Sequence, residues 1–137
     1  MKQVVAIAYI KDRKLLVVKS VRSARQGIFT LVGGMVEDNE SLLNACVRES
    51  KEEINANFNV YPNSFERLFN YIEGAASDPS MIVDINVYIS KKELDVSLVP
   101  DLEILEYRFI ESNENKNILS SSVQRFIEYA KDKDLID

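Results

Sequence analysis

The sequence predicts an α/β fold in which a mixed β-sheet lies between helices. Three observations predict it. β-rich runs recur at residues 4–10, 14–20 and 28–32 and again between 65 and 90, an acid-rich stretch of helical periodicity separates the two sets, and a second helical stripe follows Ser120. A length of 137 residues with 46% hydrophobic and 28% charged residues fits one domain over 1–137 with a true core.

Taken in order, VVAIAYI and KLLVVKS are strands joined by KDRK, a hairpin signal without glycine, and are expected to be neighbours. Residues 21–27, VRSARQG, are polar and basic between apolar runs, which predicts an exposed loop. Arg22 and Arg25 in it are candidates for contact with a substrate tail, or plain surface arginines. The strand at 28–32 then delivers the chain to Gly33 and Gly34, which permit the close backbone approach that a phosphate needs.

Asp38 or Asn39 is the expected cap of a helix starting at Glu40, with an apolar stripe of Leu42, Leu43, Cys46, Val47 and Ile54 and a stop at Asn55. At about 100° per residue, Glu49, Glu52 and Glu53 share one face bordering the buried stripe, while Arg48 and Lys51 take the outer side. Clustered like charges destabilise a helix unless something compensates. Either the face is solvated and pairs loosely with Arg48 and Lys51, or its oxygens hold a hard divalent cation such as Mg²⁺ or Mn²⁺. With no histidine and a single cysteine, Cys46, read as a small core residue, the sequence argues against zinc.

These residues carry a family resemblance. The stretch resembles the Nudix box, whose pattern is G, five residues, E, seven residues, then R-E-U-x-E-E-x-G-U with U bulky and aliphatic. Gly34, Glu40, Arg48, Glu49, Glu52 and Glu53 match it in register. Ser50 and Ala56 stand where bulky residues belong, Asn55 replaces the last glycine, and Val32 stands where many relatives have proline. The resemblance implies a Nudix-type α/β/α sandwich and metal-assisted attack of water on a diphosphate bond. By that analogy Glu52 and Glu53 are the primary metal ligands, Glu49 is a ligand or the general base, Gly34 offers its backbone to metal or phosphate with Gly33 beside it on the substrate, and Arg48 with Glu40 orients the box.

Past the helix, residues 57–61 and 65–73 read as strands around a Pro62-Asn63 turn, followed by a small-residue loop at 74–80. Residues 81–90 alternate, with Val83, Ile85, Val87 and Ile89 on one face and Asp84, Asn86 and Tyr88 on the other. Asn86 is either a reader of a base edge or a satisfied structural amide. A last helix capped by residues 120–122 presents Val123, Phe126, Ile127 and Ala130, and the charged tail KDKDLID is expected to fray.

The resemblance adds candidates outside the box. Lys19, at a strand end, is where many relatives carry a basic residue that reaches a substrate phosphate, although an ordinary solvated lysine fits equally. Glu103, six residues before Phe109, matches the position of a further ligand or general base, with Glu106 its competitor. Tyr71 lies about one position early for the tyrosine of dinucleoside polyphosphate hydrolases, and a core aromatic is the simpler reading.

A formal charge of −5 argues against a nucleic-acid partner, and the first apolar run is too short for a signal peptide or membrane span, so a cytoplasmic setting is expected. The resemblance implies a nucleotide as small-molecule substrate, most similar to that of the (d)NTP and oxidised-nucleotide pyrophosphohydrolases, and leaves a homodimer open. Dinucleoside polyphosphate, nucleotide-sugar or ADP-ribose hydrolysis is the alternative within the family. A nucleotide sensor without catalysis is the alternative of another class.

Overall fold

The computed structural model describes residues 1–24, 27–75 and 78–137, so that Arg25 lies outside the described residues. Among the described residues seven strands and three α-helices follow in the order β1 (Lys2–Ala8), β2 (Ile10–Lys11), β3 (Lys14–Ser20), α1 (Val21–Ala24), β4 (Val32–Met35), α2 (Leu42–Glu53), β5 (Phe65–Gly74), β6 (Ile82–Ser90), β7 (Ile104–Ile110) and α3 (Ser121–Asp132). They form a mixed four-stranded sheet, β4-β1-β6-β5, in which β1 and β6 are parallel, and an antiparallel three-stranded sheet, β2-β3-β7.

The expected pairing of residues 4–10 with 14–20 holds only at the turn. Ile10 and Lys11 pair with β3, and Leu16 N–H donates to the Tyr9 carbonyl at 2.8 Å, while β1 is drawn away between β4 and β6. Asp12 and Arg13 adopt φ of +52° and +62°, the two left-handed positions of a tight hairpin, in place of glycine.

Alternation along the strands feeds two cores. Val5, Ile7, Tyr9, Leu16 and Val18 pack with Ala45, Cys46 and Phe58 on the α2 side. Ala6, Ala8, Leu15, Val17, Val83, Ile85 and Val87 pack with Phe126 and Ile127 on the α3 side. The result is the α/β/α layering expected, with the sheet layer made of two sheets. Asn86 is 1% exposed and its amide donates to Gln3 Oε1 at 2.8 Å and to the Val4 and Asp84 carbonyls, a satisfied structural group.

Several local expectations are corrected. The α2 cap is Ser41, whose Oγ accepts from Asn44 N–H at 3.1 Å, because Asn39 turns the chain at φ +62° and the helix begins only at Leu42. Its end is Glu53 with Ile54 as cap in the right-handed region, and Asn55 uses its side chain to accept from Asn57 N–H at 2.9 Å. Residues 57–61 form no strand: Phe58 N–H and Val60 N–H are spent on the nearby Asn55 and Phe58 carbonyls, while both side chains are buried. Strand β4 starts at Val32 and runs through both glycines, later than the 28–32 expected, and part of 21–27 is the single turn α1.

The tail does not fray. Leu135 N–H returns to the Ala130 carbonyl and Asp134 N–H to that of Lys131, with Asp134 at φ +53°, which closes α3 in a Schellman motif. Arg13 then grips Asp137 Oδ1 at 2.7 Å and Asp134 Oδ1 at 2.8 Å, and Ile136 is buried.

Ser50, the polar residue at a bulky position of α2, is fully buried with its Oγ 2.6 Å from Tyr9 OH. The tyrosine hydroxyl occupies the space that an aliphatic side chain would take. Tyr9→Phe and Ser50→Ala are each expected to cost about 1 kcal/mol, since each strands a buried hydroxyl. Urea denaturation of the double variant should show a loss smaller than the sum by about 0.5 kcal/mol or more. Simple additivity would mean that the two groups do not depend on each other.

Candidate active site

A cleft of about 580 Å³ opens between α2, β4, the β3–α1 junction and the entry to β7. Its walls carry Gly33, Gly34, Arg48, Glu49, Glu52, Glu53 and Glu103, together with Ser20, Arg22 and Thr30. The sequence-predicted residues Gly33, Gly34, Arg48, Glu49, Glu52, Glu53 and Glu103 therefore line one space, and Glu40 lies outside its lining.

Arg48 is not on the outer side of α2. Its guanidinium folds back into the cleft, with Nε and Nη2 on the two oxygens of Glu40 at 2.8 and 2.9 Å, Nη2 also on the Met35 carbonyl, and Nη1 2.9 Å from Glu49 Oε1. Nη1 reaches Glu52 as well, at 3.3 Å. Glu40 in turn accepts from Glu37 N–H, so the loop before the helix is pinned by a bidentate ion pair. The pairing holds the Glu40 carboxyl below its ordinary range, chiefly through the hydrogen bond from Arg48.

The three helix glutamates are unequal. Glu49 is buried, its side chain 9% exposed against 51% for Glu52. Glu53 accepts from Gly33 N–H at 3.2 Å and touches Glu49. Burial first, and then the hydrogen bond and charge of Glu49, push the Glu53 carboxyl far above the usual carboxylate range. Among the described residues no three acids converge in ligating geometry. Arg48 Nη1 lies between Glu49 and Glu52 and bonds both. A set of carboxylate oxygens with no imidazole and no accessible thiolate fits Mg²⁺ or Mn²⁺ by its chemistry, with Glu49 and Glu53 already adjacent and Glu52 needing to exchange its weak contact with Arg48.

The glycines have separate reasons. Gly33 has φ +155°, and a Cβ there would lie 2.0 Å from the Val5 carbonyl oxygen across the β1–β4 ladder. A Cβ on Gly34 would instead lie 2.5 Å from Glu49 Oε1.

Glu103 is exposed, with its backbone held on both sides: its N–H donates to Asp101 Oδ1 at 2.8 Å and its carbonyl accepts from Val21 N–H at 2.9 Å. Glu106 pairs with Arg108 at 2.9 Å and with Lys19 at 4.0 Å, and neither Glu106 nor Lys19 is in the cleft lining. Lys19 Nζ sits 4.5 Å from the centre of the Phe29 ring, on the α3 side of the sheet. Tyr71 is a buried strand aromatic, its OH 2.9 Å from Ser121 Oγ and the Arg125 guanidinium over its ring.

The NUDIX domain profile matches residues 1–128. The chain belongs to the NUDIX family. Membership makes it a Nudix hydrolase, an enzyme of phosphoric anhydride bonds. No curated protein sequence matches it. Among solved structures, a Caenorhabditis elegans Ap4A hydrolase binary complex is similar at a TM-score of 0.71 and 13% identity, covering 97% of each chain. The NUDIX domain of Shewanella oneidensis NrtR, complexed with ADP ribose, matches at 0.71 and 17% identity over 96% of this chain and 86% of that one. The Escherichia coli ORF135 protein matches at 0.70 and 19%, over 100% of this chain and 95% of that one. At such identities the likeness is one of fold. Among the described residues no helix of this NUDIX chain is long and apolar enough to cross a membrane.

One residue that touches the site from outside the cleft lining escaped the sequence. Tyr107, on β7, donates its hydroxyl to the Glu53 main-chain carbonyl at the end of α2. Nothing in its spacing signals this, because the acceptor is backbone.

Proposed function

We propose that the protein hydrolyses the diphosphate bond of a nucleoside diphosphate linked to a further group, with a (d)NTP or oxidised (d)NTP as substrate, a nucleoside monophosphate as product and Mg²⁺ or Mn²⁺ as cofactor. The observation that carries the reading is the meeting of Glu49, Glu52, Glu53 and Glu103 in one cleft with the backbone of Gly33 and Gly34. A cleft of about 580 Å³ lies within the usual size range of a small-molecule site.

In this reading Glu49, Glu52 and Glu53 hold the cation, and Gly34 keeps the backbone low enough for phosphate to approach. A divalent cation bound there would supply charge neutralisation for the phosphates and a lowered pKa for water. Arg48 orients Glu49 through Nη1 and anchors the loop through Glu40. Glu103, across the cleft and outside the Arg48 network, takes the proton of the attacking water, with Glu49 its rival. A single domain over 1–137 and a cytoplasmic setting accompany the proposal.

The test is a panel of dNTPs, oxidised dGTP, Ap4A, ADP-ribose and nucleotide sugars with Mg²⁺, read by phosphate and pyrophosphate release. A dNTP should give the monophosphate and pyrophosphate, with loss of activity on chelation and a rise in melting temperature with millimolar Mg²⁺. Faster turnover of Ap4A or ADP-ribose would replace the substrate class. Nucleotide binding without hydrolysis of any member would replace the enzyme by a sensor.

A further inference from the structure

The geometry points to Tyr107 as a positioning residue that fixes Glu53 relative to Glu103, and thereby sets the distance between the two acid walls of the cleft. The inference rests on the metal-dependent reading above and adds to it a residue that the box does not contain.

The last carbonyls of a helix have no partner within it. At the end of α2 the Ser50 carbonyl is taken by Ile54 N–H, but the Glu53 carbonyl faces β7, where the Tyr107 hydroxyl meets it. Glu53 is thus held twice, at its backbone by Tyr107 and at its carboxylate by Gly33 N–H. Neither bond is local in sequence: Tyr107 is 54 positions from Glu53, and Gly33 is 20.

Strand β7 belongs to the three-stranded sheet, whereas α2 packs over β1 and β4 of the other. The hydroxyl therefore ties a strand of one sheet to the helix packed on the other, at the backbone of Glu53, which lines the cleft. Immediately before the same strand lies Glu103, whose backbone is fixed by Asp101 and by Val21. From Asp101 to Tyr107 this segment is a strut with an acid at one end and a grip on the acid helix at the other. A phenylalanine would keep the ring packing on the α2-side core and remove only the grip.

Groups that orient a metal's ligands from behind typically alter metal affinity or activity by about 10- to 100-fold when removed. Tyr107→Phe is accordingly expected to weaken Mn²⁺ binding by about 10-fold or more, measured without substrate from the dependence of melting temperature on Mn²⁺, while the metal-free melting temperature stays close to that of the parent. Phe109→Leu on the same strand is the control for general loosening of β7. It should keep its Mn²⁺ affinity even where its metal-free melting temperature falls further. Turnover supplies a second readout, since a strut between Glu53 and Glu103 makes the penalty of Tyr107→Phe smaller in a Glu103→Gln background.

Unchanged Mn²⁺ affinity in Tyr107→Phe overturns the inference, as does an equal loss in Phe109→Leu or a turnover penalty independent of Glu103. A parent protein that shows no Mn²⁺ effect at all overturns the metal reading itself, and this inference with it. That result is distinguishable because the parent and not the variant fails.

Discussion

Glu103→Gln is expected to lower turnover by about 10² to 10⁴ while leaving Mg²⁺ affinity nearly unchanged, the range that a positioned general base contributes. The argument is one of availability. Glu49 is buried, bonded to Arg48 and in contact with Glu53, which on the proposed reading suits it to hold the cation and not to take a proton. Glu103 stands across the cleft on a backbone fixed at both its N–H and its carbonyl, with its side chain exposed. Glutamine keeps the size and removes the proton acceptor. Glu49→Gln is the companion measurement and should lose metal affinity together with rate. If Glu103→Gln turns over at near the parent rate, its spacing to Phe109 is a coincidence and the base is Glu49 or another group.

Gly33→Ala and Gly34→Ala are expected to fail in different ways although the residues are adjacent. At Gly33 the added carbon would meet the Val5 carbonyl oxygen at 2.0 Å, a backbone atom of a paired strand that no rotamer change can move, and φ of +155° adds strain. A cost of about 3 to 5 kcal/mol follows from strain and overpacking together, seen as a fall in melting temperature of about 10 °C or more. At Gly34 the obstacle is the end of the Glu49 side chain, 2.5 Å away, which can swing aside. Stability should then change little, and Mg²⁺ affinity and turnover should fall because Glu49 has moved. A stable, active Gly33→Ala variant would show that the β1–β4 ladder can open at that point, and an active Gly34→Ala variant that Glu49 need not stay where it is.

Much of this site is legible in the chain because α2 imposes its own geometry: once the helix is recognised, Glu49, Glu52 and Glu53 are brought near one another by its period. Arg48 shows where that reasoning stops. A helical wheel gives the direction of a Cα–Cβ bond, and a guanidinium on a long stem can fold back over the N-terminal turns, as it does to reach Glu40 and Met35. Residues 57–61 illustrate a second limit, since Phe58 and Val60 alternate like a strand and are buried like one, yet their N–H groups bond locally. The tail at 131–137 was legible as charge but not as structure, because its partner, Arg13, lies at the opposite end of the sequence. Tyr107 belongs to the same class, its hydroxyl answering a carbonyl that every residue possesses.

The central place of β1 has a consequence for how the chain reaches its fold. Val4 must find Met35 on one side and Ile85 on the other. The first partner follows within a few dozen residues, whereas the second waits until most of the protein has been synthesised. A chain growing on the ribosome can therefore zip the glycine-bearing strand onto β1 early, while the opposite edge of β1 stays a bare row of amides and carbonyls until β6 emerges. Such distant pairings belong to the slower regime of folding, and an unfilled strand edge invites association with other chains. Nascent-chain cross-linking should accordingly find this edge open to chaperones up to the appearance of residue 90, and closed after it.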